Sequence, residues 1–170
     1  MESYELGDPA TDGDAAKVAA LYQGFMDEEA IEARGAQPLA PYLDAIRGAS
    51  SKEDIAHLMG AQHGGFTRSF FSVGVSDDQR NPDYYTLYMS QSGLGLGDRE
   101  MYLRDNFEPQ RERYVHYIVE LLELAGWDDP QAHAQAIMEM EIRIAEAHWT
   151  RAESRDRDKT YNPLEMGEFD

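Results

Sequence analysis

The sequence predicts a mainly α protein: several antiparallel helices with one small β-hairpin at about residues 68–90. Three observations predict it. Apolar residues recur at i, i+3, i+4 and i+7 in several segments, the stripe of an amphipathic helix. From residue 71 to 75, Phe71, Val73 and Val75 alternate with Ser72 and Gly74, the period of a half-buried strand. The two longest helical segments are joined by a short connection, which makes them antiparallel neighbours.

Residues 1–13 are polar and acidic and are expected to form a disordered or non-native leader. Residues 14–166 form the helical segment, and 167–170 are expected to be a truncated tail of a longer chain. Asp14 is the expected N-cap of a first helix. Val18, Leu21, Tyr22 and Phe25 give its apolar stripe, and it fades near Arg34-Gly35. Pro38 restarts the chain into a short helix with Leu39, Leu43 and Ile46. Ser50 and Glu53 have capping-box spacing and open a helix carrying Ile55, Leu58 and Met59, which Gly64-Gly65 ends.

The strand signal follows, then a polar turn containing Asn81-Pro82, then an aromatic strand at Tyr84, Tyr85 and Tyr88. A lone hairpin is marginal in water, so this one must lie on helices of the chain or on a partner domain. A long helix starts at Glu108-Pro109, with proline where its missing N–H costs least. Its stripe is Tyr114, Ile118, Leu121, Leu122 and Ala125, and Gly126 is the expected C′ residue. Asp129-Pro130 reads as N-cap and N1 of the last long helix. Ala134, Ile137, Glu141, Ile144, Ala145 and His148 lie near one face of it.

Composition excludes several functions. With 33 acidic and 15 basic residues the formal charge is −18. That argues against nucleic acid, whose phosphates need clustered Lys and Arg. The chain has no cysteine, which removes disulfides and thiolate zinc sites. No apolar run approaches the ~20 residues of a membrane span, and the N-terminus lacks the basic start and apolar core of a signal peptide.

Catalytic constellations are missing as well. A zinc peptidase helix needs His-Glu-x-x-His, which places two imidazoles on one face with Glu as general base. The five histidines, His57, His63, His116, His133 and His148, are followed by Leu, Gly, Tyr, Ala and Trp, so the motif does not occur. Glu53/His57 and Glu112/His116 are i,i+4 pairs, which read as a solvated helix face or a surface metal contact. His148 beside Trp149 reads as a half-buried ring donating to a backbone carbonyl or a carboxylate. No Ser stands in a Gly-x-Ser-x-Gly elbow. Gly93, Gly95 and Gly97 are spaced like a phosphate loop, but no P-loop lysine or βαβ context accompanies them; the plain reading is a loop that needs positive φ.

Residues 146–163, EAHWTRAESRDRDKTYNP, carry the densest pattern. A helix enters a mixed-charge segment and stops at Asn162-Pro163, because the residue before proline is pushed out of the helical region. The segment is either a solvated helix end with i,i+4 pairs or a charged hinge holding this unit against another domain. The runs AHWTR, RDR and KTYNP within it resemble the neprilysin and endothelin-converting-enzyme family of zinc metallopeptidases. Residues 91–103, QSGLGLGDREMYL, resemble that family's Gly-Leu-x-Leu-Pro-Asp-Arg-Asp-Tyr-Tyr-Leu loop, with Gly97 in place of its proline. Residues 26–35, MDEEAIEARG, resemble its acidic helix followed by a Gly turn. The three stand in family order.

The resemblance implies a segment of the N-terminal half of such a peptidase, most of it belonging to the helical domain that caps the zinc site and encloses a cavity admitting only peptides. Proteolysis would then be the parent's function. This chain, without the zinc motif, would be inactive alone and would hold no cofactor, zinc belonging to the full-length parent. Its expected partners are the parent's C-terminal catalytic domain and the parent's peptide substrates, with no nucleic acid and no membrane segment; the resemblance implies an extracytoplasmic parent, secreted, periplasmic or membrane-anchored. Asp98, Arg99, Arg151, Arg155, Asp156, Arg157, Lys159 and Tyr161 are expected to hold local structure or interdomain contacts through charge-assisted bonds, not to perform chemistry. The other reading is a stand-alone acidic interaction module related to that domain, which binds a basic partner.

Overall fold

A computed structural model describes residues 13–61 and 70–168. The expected end of the fourth helix at Gly64-Gly65, and His63, lie outside these residues. The chain divides into two compact units at Gly48/Ala49.

The first unit is helical. Helix α1 (Asp14–Met26) has Gly13, not Asp14, at its N-cap; Asp14 sits in the first turn and pairs with Lys17 at 3.0 Å. The acidic run does not continue this helix. Asp27 leaves helical geometry, and its carboxylate accepts the Ala30 N–H, so that it caps a separate helix α2 (Glu28–Arg34). Gly35 ends α2 with φ +49°, as a C-terminal glycine should. A 3₁₀ turn (Gln37–Leu39) carrying Pro38 leads into α3 (Ala40–Gly48). The expected stripe of α1 faces solvent: Leu21 is 77% and Phe25 76% exposed.

The second unit opens with α4 (Lys52–Ala61). Its capping box is displaced by one residue from the Ser50/Glu53 expected. Ser51 Oγ accepts the Asp54 N–H at 3.1 Å, while Asp54 accepts the N–H groups of Ser50 and Ser51 at 2.9 Å each. Those bonds hold the Asp54 carboxyl below its ordinary pKa, the Ser50 N–H contributing most.

Strands β1 (Phe71–Asp77) and β2 (Tyr85–Gln91) form the expected hairpin, antiparallel and in unbroken register from Phe71↔Gln91 to Asp77↔Tyr85. Asp78 shapes its turn by accepting the N–H groups of Arg80 and Asn81 at 2.8 Å each, an Asx turn.

A loop then delivers a short helical turn, α5 (Glu100–Leu103), that sequence periodicity does not reveal because it is too short to show a stripe. The two long helices follow as expected: α6 (Glu108–Leu124) and α7 (Pro130–Ala147). Between them Gly126 (φ +64°) completes a Schellman motif, with Trp127 N–H on Leu122 O at 2.9 Å and Gly126 N–H on Glu123 O at 3.0 Å. Asp129 caps α7 through the Ala132 N–H. Tyr114 from early α6 meets Glu141 from late α7, the pairing that antiparallel packing produces. Helix α7 buries Ala134, Met138, Glu141 and Ala145. Helix α6 buries Ile118 and turns Leu121, expected inside, to solvent.

The core of this unit gathers where α5, α6 and α7 meet. Tyr102, Met138 and Ala145 are its centre, with Leu94, Leu96, Met101, Leu103, Tyr114, Val115 and Ile142 packed around them. The glycine loop lies directly on this core. A Cβ on Gly95 would stand 1.8 Å from Tyr114 Oη and 2.5 Å from its Cζ, so glycine is required there by close approach, not by φ. Gly95→Ala is expected to destabilise the chain by about 1–3 kcal/mol through overpacking, read as a lower urea midpoint with unchanged m-value. Wild-type stability in that variant would remove the loop from the core.

Candidate functional site

The charged segment is not the end of a long helix. Helix α7 stops at Ala147, and His148 leaves helical geometry (φ −68°, ψ 142°). The chain then folds into a 3₁₀ turn (Glu153–Arg155) and a one-turn helix α8 (Arg157–Thr160) before Tyr161 extends toward Pro163. The i,i+4 pairs of a continuous solvated helix are therefore not what orders it. Glu153 orders the first turn. Its carboxylate accepts the Thr150 N–H at 2.9 Å and hydroxyl at 2.8 Å and pairs with the Lys159 ammonium. Those bonds, Lys159 first, pull the Glu153 carboxyl down to about 2. Asp156 caps α8 by accepting the Asp158 and Lys159 N–H groups at 3.1 and 3.2 Å.

This folded segment is fastened to the rest of its unit at three places. At the first, Arg151 Nη2 donates to Asp98 Oδ2 at 2.8 Å, and Arg99 donates Nε to the Ala145 carbonyl at 3.0 Å and Nη1 to Glu100 at 2.9 Å. Arg99 so supplies a cation to the C-terminal end of α7, where the helix dipole favours one. At the second, the Gln91 amide grips the Trp149 peptide: Oε1 accepts the Trp149 N–H at 2.8 Å and Nε2 donates to its carbonyl at 3.2 Å. At the third, Tyr161 Oη reaches both Asp78 oxygens at 3.2 Å while Arg80 stacks 4.4 Å from the Tyr161 ring centroid and pairs with Asp158 at 3.2 Å. Burial, then the Asp78 bond, raises the Tyr161 phenol above its ordinary pKa.

Between the first two fastenings lies a cavity of about 250 Å³ bordered by Ser92, Asp98, Arg99, His148, Trp149 and Arg151. Burial lowers the pKa of the His148 ring, and Arg99 adds to the drop; a hydrogen bond to the Ser92 backbone works against it. Beneath the loop, Glu141 is buried and accepts Tyr102 Oη at 2.5 Å and Tyr114 Oη at 3.1 Å, while Tyr102 Oη also accepts the Leu96 N–H at 2.8 Å.

Of the residues expected from sequence, Asp98, Arg99 and Arg151 meet at one place. Asp156, Lys159 and Tyr161 lie along the folded segment. Arg155 and Arg157 are exposed, and their side chains make no ion pair or hydrogen bond among the described residues. Sequence pattern alone does not single out Asp78, Arg80, Gln91, Glu141 or Glu153. Two of them carry a signal: Thr150-Arg-Ala-Glu153 has capping-box spacing, and Glu141 is a carboxylate on an apolar stripe.

Zinc does not fit this donor set. Among the described residues no group of three His, Asp or Glu side chains is placed to hold a metal. His57 and His116 are exposed on separate helices, and His133 sits edge-on to Trp127, ring centroids 6.3 Å apart.

The sequence profile of the N-terminal domain of peptidase family M13 matches residues 3–170. The chain belongs to peptidase family M13. It is 29% identical over 165 residues to endothelin-converting enzyme 1 of Cavia porcellus, an alignment covering 90% of this chain and 22% of the relative. It is 28% identical over 168 residues to endothelin-converting enzyme-like 1 of Mus musculus, with the same coverage. Among solved structures it is similar to Mycobacterium tuberculosis zinc metalloprotease ZMP1 at 30% identity. The TM-score is 0.77 for the open state, over 92% of this chain and 25% of that one, and 0.80 for the inhibitor complex, over 88% and 23%. The M13 segment thus spans about a fifth of the length of the curated relatives it matches, and no helix among its described residues is long and apolar enough to cross a membrane.

Two outcomes test the energetics of this M13 site. Arg99→Ala breaks two charge-assisted bonds of a side chain only 19% exposed and is expected to cost about 1.5–3 kcal/mol. Arg151→Ala opens an exposed pair worth about 0–1 kcal/mol. Equal losses of thermal midpoint in the two variants would contradict this placement.

Titration tests it separately. Burial and Glu141 push both the Tyr102 and Tyr114 phenols above their ordinary value. The fold therefore favours the neutral phenols, and their contribution is complete below about pH 10 and lost as pH rises beyond it. Glu153 has the opposite sign: its contribution is complete above its unfolded value of 4.5 and lost as pH falls toward 2. Chemical denaturation across pH should show both limbs, and Glu153→Gln should flatten only the acid one.

Proposed function

We propose that this chain is a non-catalytic helical segment of a neprilysin-like zinc metalloendopeptidase, which walls the substrate cavity and limits access to peptides. The observation that carries it is the family match over residues 3–170 by a sequence in which His-Glu-x-x-His does not occur. A second observation supports it. Large apolar side chains stand in rows without cover on α1 (Leu21, Phe25) and on α6 (Tyr117, Leu121, Leu124). Rows of that kind mark surfaces that other protein covers. The C-terminal catalytic domain of the parent is the cover we assign.

In this reading Asp98, Arg99, Arg151, Asp156, Lys159 and Tyr161 keep the segment after α7 folded. Arg155 and Arg157, exposed and without a protein partner among the described residues, carry the charge that meets the neighbouring domain. Zinc and the hydrolytic step belong to the parent. A second reading, an acidic module binding a basic partner, draws on the net charge of −18.

Replacing the matched quarter of M. tuberculosis ZMP1 with this chain discriminates the two. The wall reading predicts a zinc-loaded chimera that cleaves short peptides in a chelator-sensitive way and leaves folded proteins intact. It also predicts that the chain alone cleaves nothing. Chelator-sensitive cleavage by the rigorously purified chain would falsify it, and a chimera that cleaves folded proteins would remove the wall role.

A further inference from the structure

We propose that the outer edge of β1 is a docking edge that takes an extended basic peptide as a third strand of the hairpin, with apolar residues at alternate positions of the peptide. The inference goes beyond the wall reading and does not depend on it. Two bonds bracket the ladder: Asp78 N–H on Tyr84 O at 2.8 Å and Ser92 N–H on Phe70 O at 3.1 Å. With the register from Phe71↔Gln91 to Asp77↔Tyr85, they fix its parity. In an antiparallel pair, residues alternate between bonding the partner strand and turning N–H and C=O away from it. Even-numbered residues of β1 therefore bond to β2, and odd-numbered ones face outward. The Asp77 carbonyl is taken by Tyr88 Oη at 3.1 Å. The Asp77 N–H and the N–H and C=O of Val73 and Val75 remain, five groups with no partner among the described residues.

Proteins ordinarily guard such an edge with Lys, Pro, a bulge or a covering element. Residues 71–77, FSVGVSD, contain no Lys and no Pro, and the register has no bulge. At the end of β2 the Gln91 side-chain amide holds the Trp149 peptide, so the segment after α7 lies against that end of the strand. The hairpin is also already ordered, held at one end by Gln91 and at its turn by Asp78 and Arg80. A strand added there gains backbone bonds without the entropic cost of ordering its receptor.

Side chains and charge define the occupant. Val73, Val75, Leu87 and Met89 share one face of the hairpin, with Val75 69% and Leu87 55% exposed. An added strand extends that face with its own alternate side chains, which are apolar for that reason. Asp77, Asp78 and Asp83 crowd the turn end, and the nearby cation Arg80 is engaged by Tyr161 and Asp158. The peptide is therefore basic where it passes Asp77. A second copy fits less well, since it would bring another charge of −18 and an identical acidic turn.

The test titrates the synthetic peptide Lys-Lys-Val-Thr-Val-Thr-Val into the full chain and follows backbone amide exchange by NMR. The expected result is exchange at Val73 and Val75 slowed by about tenfold or more, with β2 amides little changed. Val75→Pro removes an outward N–H without touching the ladder and is expected to abolish binding. The same peptide N-methylated along one edge should also fail, which keeps the test sound if that variant misfolds. Unchanged exchange at Val73 and Val75 under saturating peptide overturns the proposal. So does equal binding of a Glu-Glu analogue, or slowed exchange that accompanies self-association without any peptide.

Discussion

A single carboxylate holds the second unit together. Glu141 is 7% exposed on the buried face of α7, where an unpaired charge would cost several kcal/mol. It is tolerable because two phenols from different elements reach it, Tyr102 from α5 and Tyr114 from α6. Both bonds are hydroxyl to carboxylate, the charge-assisted kind that is roughly twice as strong as a neutral one. Tyr102 Oη then accepts the Leu96 N–H, so the same network fixes the glycine loop. Three helices and a loop converge on one acceptor, and each is placed by its bond to that acceptor as much as by apolar contact. Gly95 follows from this: the loop passes so close to Tyr114 that a side chain has no room.

From that centre order passes outward in short steps. The loop presents Asp98 and Arg99, which hold Arg151 and the end of α7. Beyond Trp149 the chain reverses twice in a dozen residues, each reversal closed by a carboxylate on backbone N–H groups, Glu153 for the first and Asp156 for the second. The segment ends at Tyr161, which reaches the hairpin turn. Most of these contacts are exposed, and singly each is worth little. Their effect comes from closure. Loop, folded segment and hairpin form a ring of contacts, so opening any one leaves the other attachments in place.

How much of this is legible in the sequence depends on the range of the interaction. Local signals read true: Gly126 and the Schellman stop, Asp129-Pro130 at the start of α7, the alternation of β1 and the turn before β2. Each depends on residues within about five positions of one another. Boundaries set by competing local signals shift. Asp27 can cap a helix as well as lie inside one, and Ser51/Asp54 outcompetes Ser50/Glu53 because Asp54 gathers two N–H groups at once. The fastenings are not legible, because Gln91–Trp149 and Asp78–Tyr161 join positions 58 and 83 residues apart. Glu141 is the intermediate case: a charge on an apolar stripe announces a buried partner but does not name it. Arg155 and Arg157 stand among paired charges without an ion pair of their own among the described residues, and charge density by itself does not distinguish a residue bonded within its unit from one left open to a neighbour.

The pattern of exposure carries the last step. Among the described residues the buried hydrophobic side chains are few, and half of them are alanines: Ala19, Tyr102, Ile118, Ala134, Met138 and Ala145. A self-sufficient domain of this length buries roughly two-thirds of its chain's surface around a larger centre. Here apolar rows on α1, the hairpin and α6 stay open while the polar network beneath the loop is closed. The two halves of that pattern have different physical sources. The network is local to one unit and complete in itself, so it sets geometry. Apolar rows stabilise only when something covers them, and binding a cover adds stability in proportion to how well the surface is already arranged. A segment with preset polar geometry and open apolar faces is suited to take its remaining stability from neighbouring protein. This fits a chain whose relatives carry the same segment as about a fifth of a much longer polypeptide.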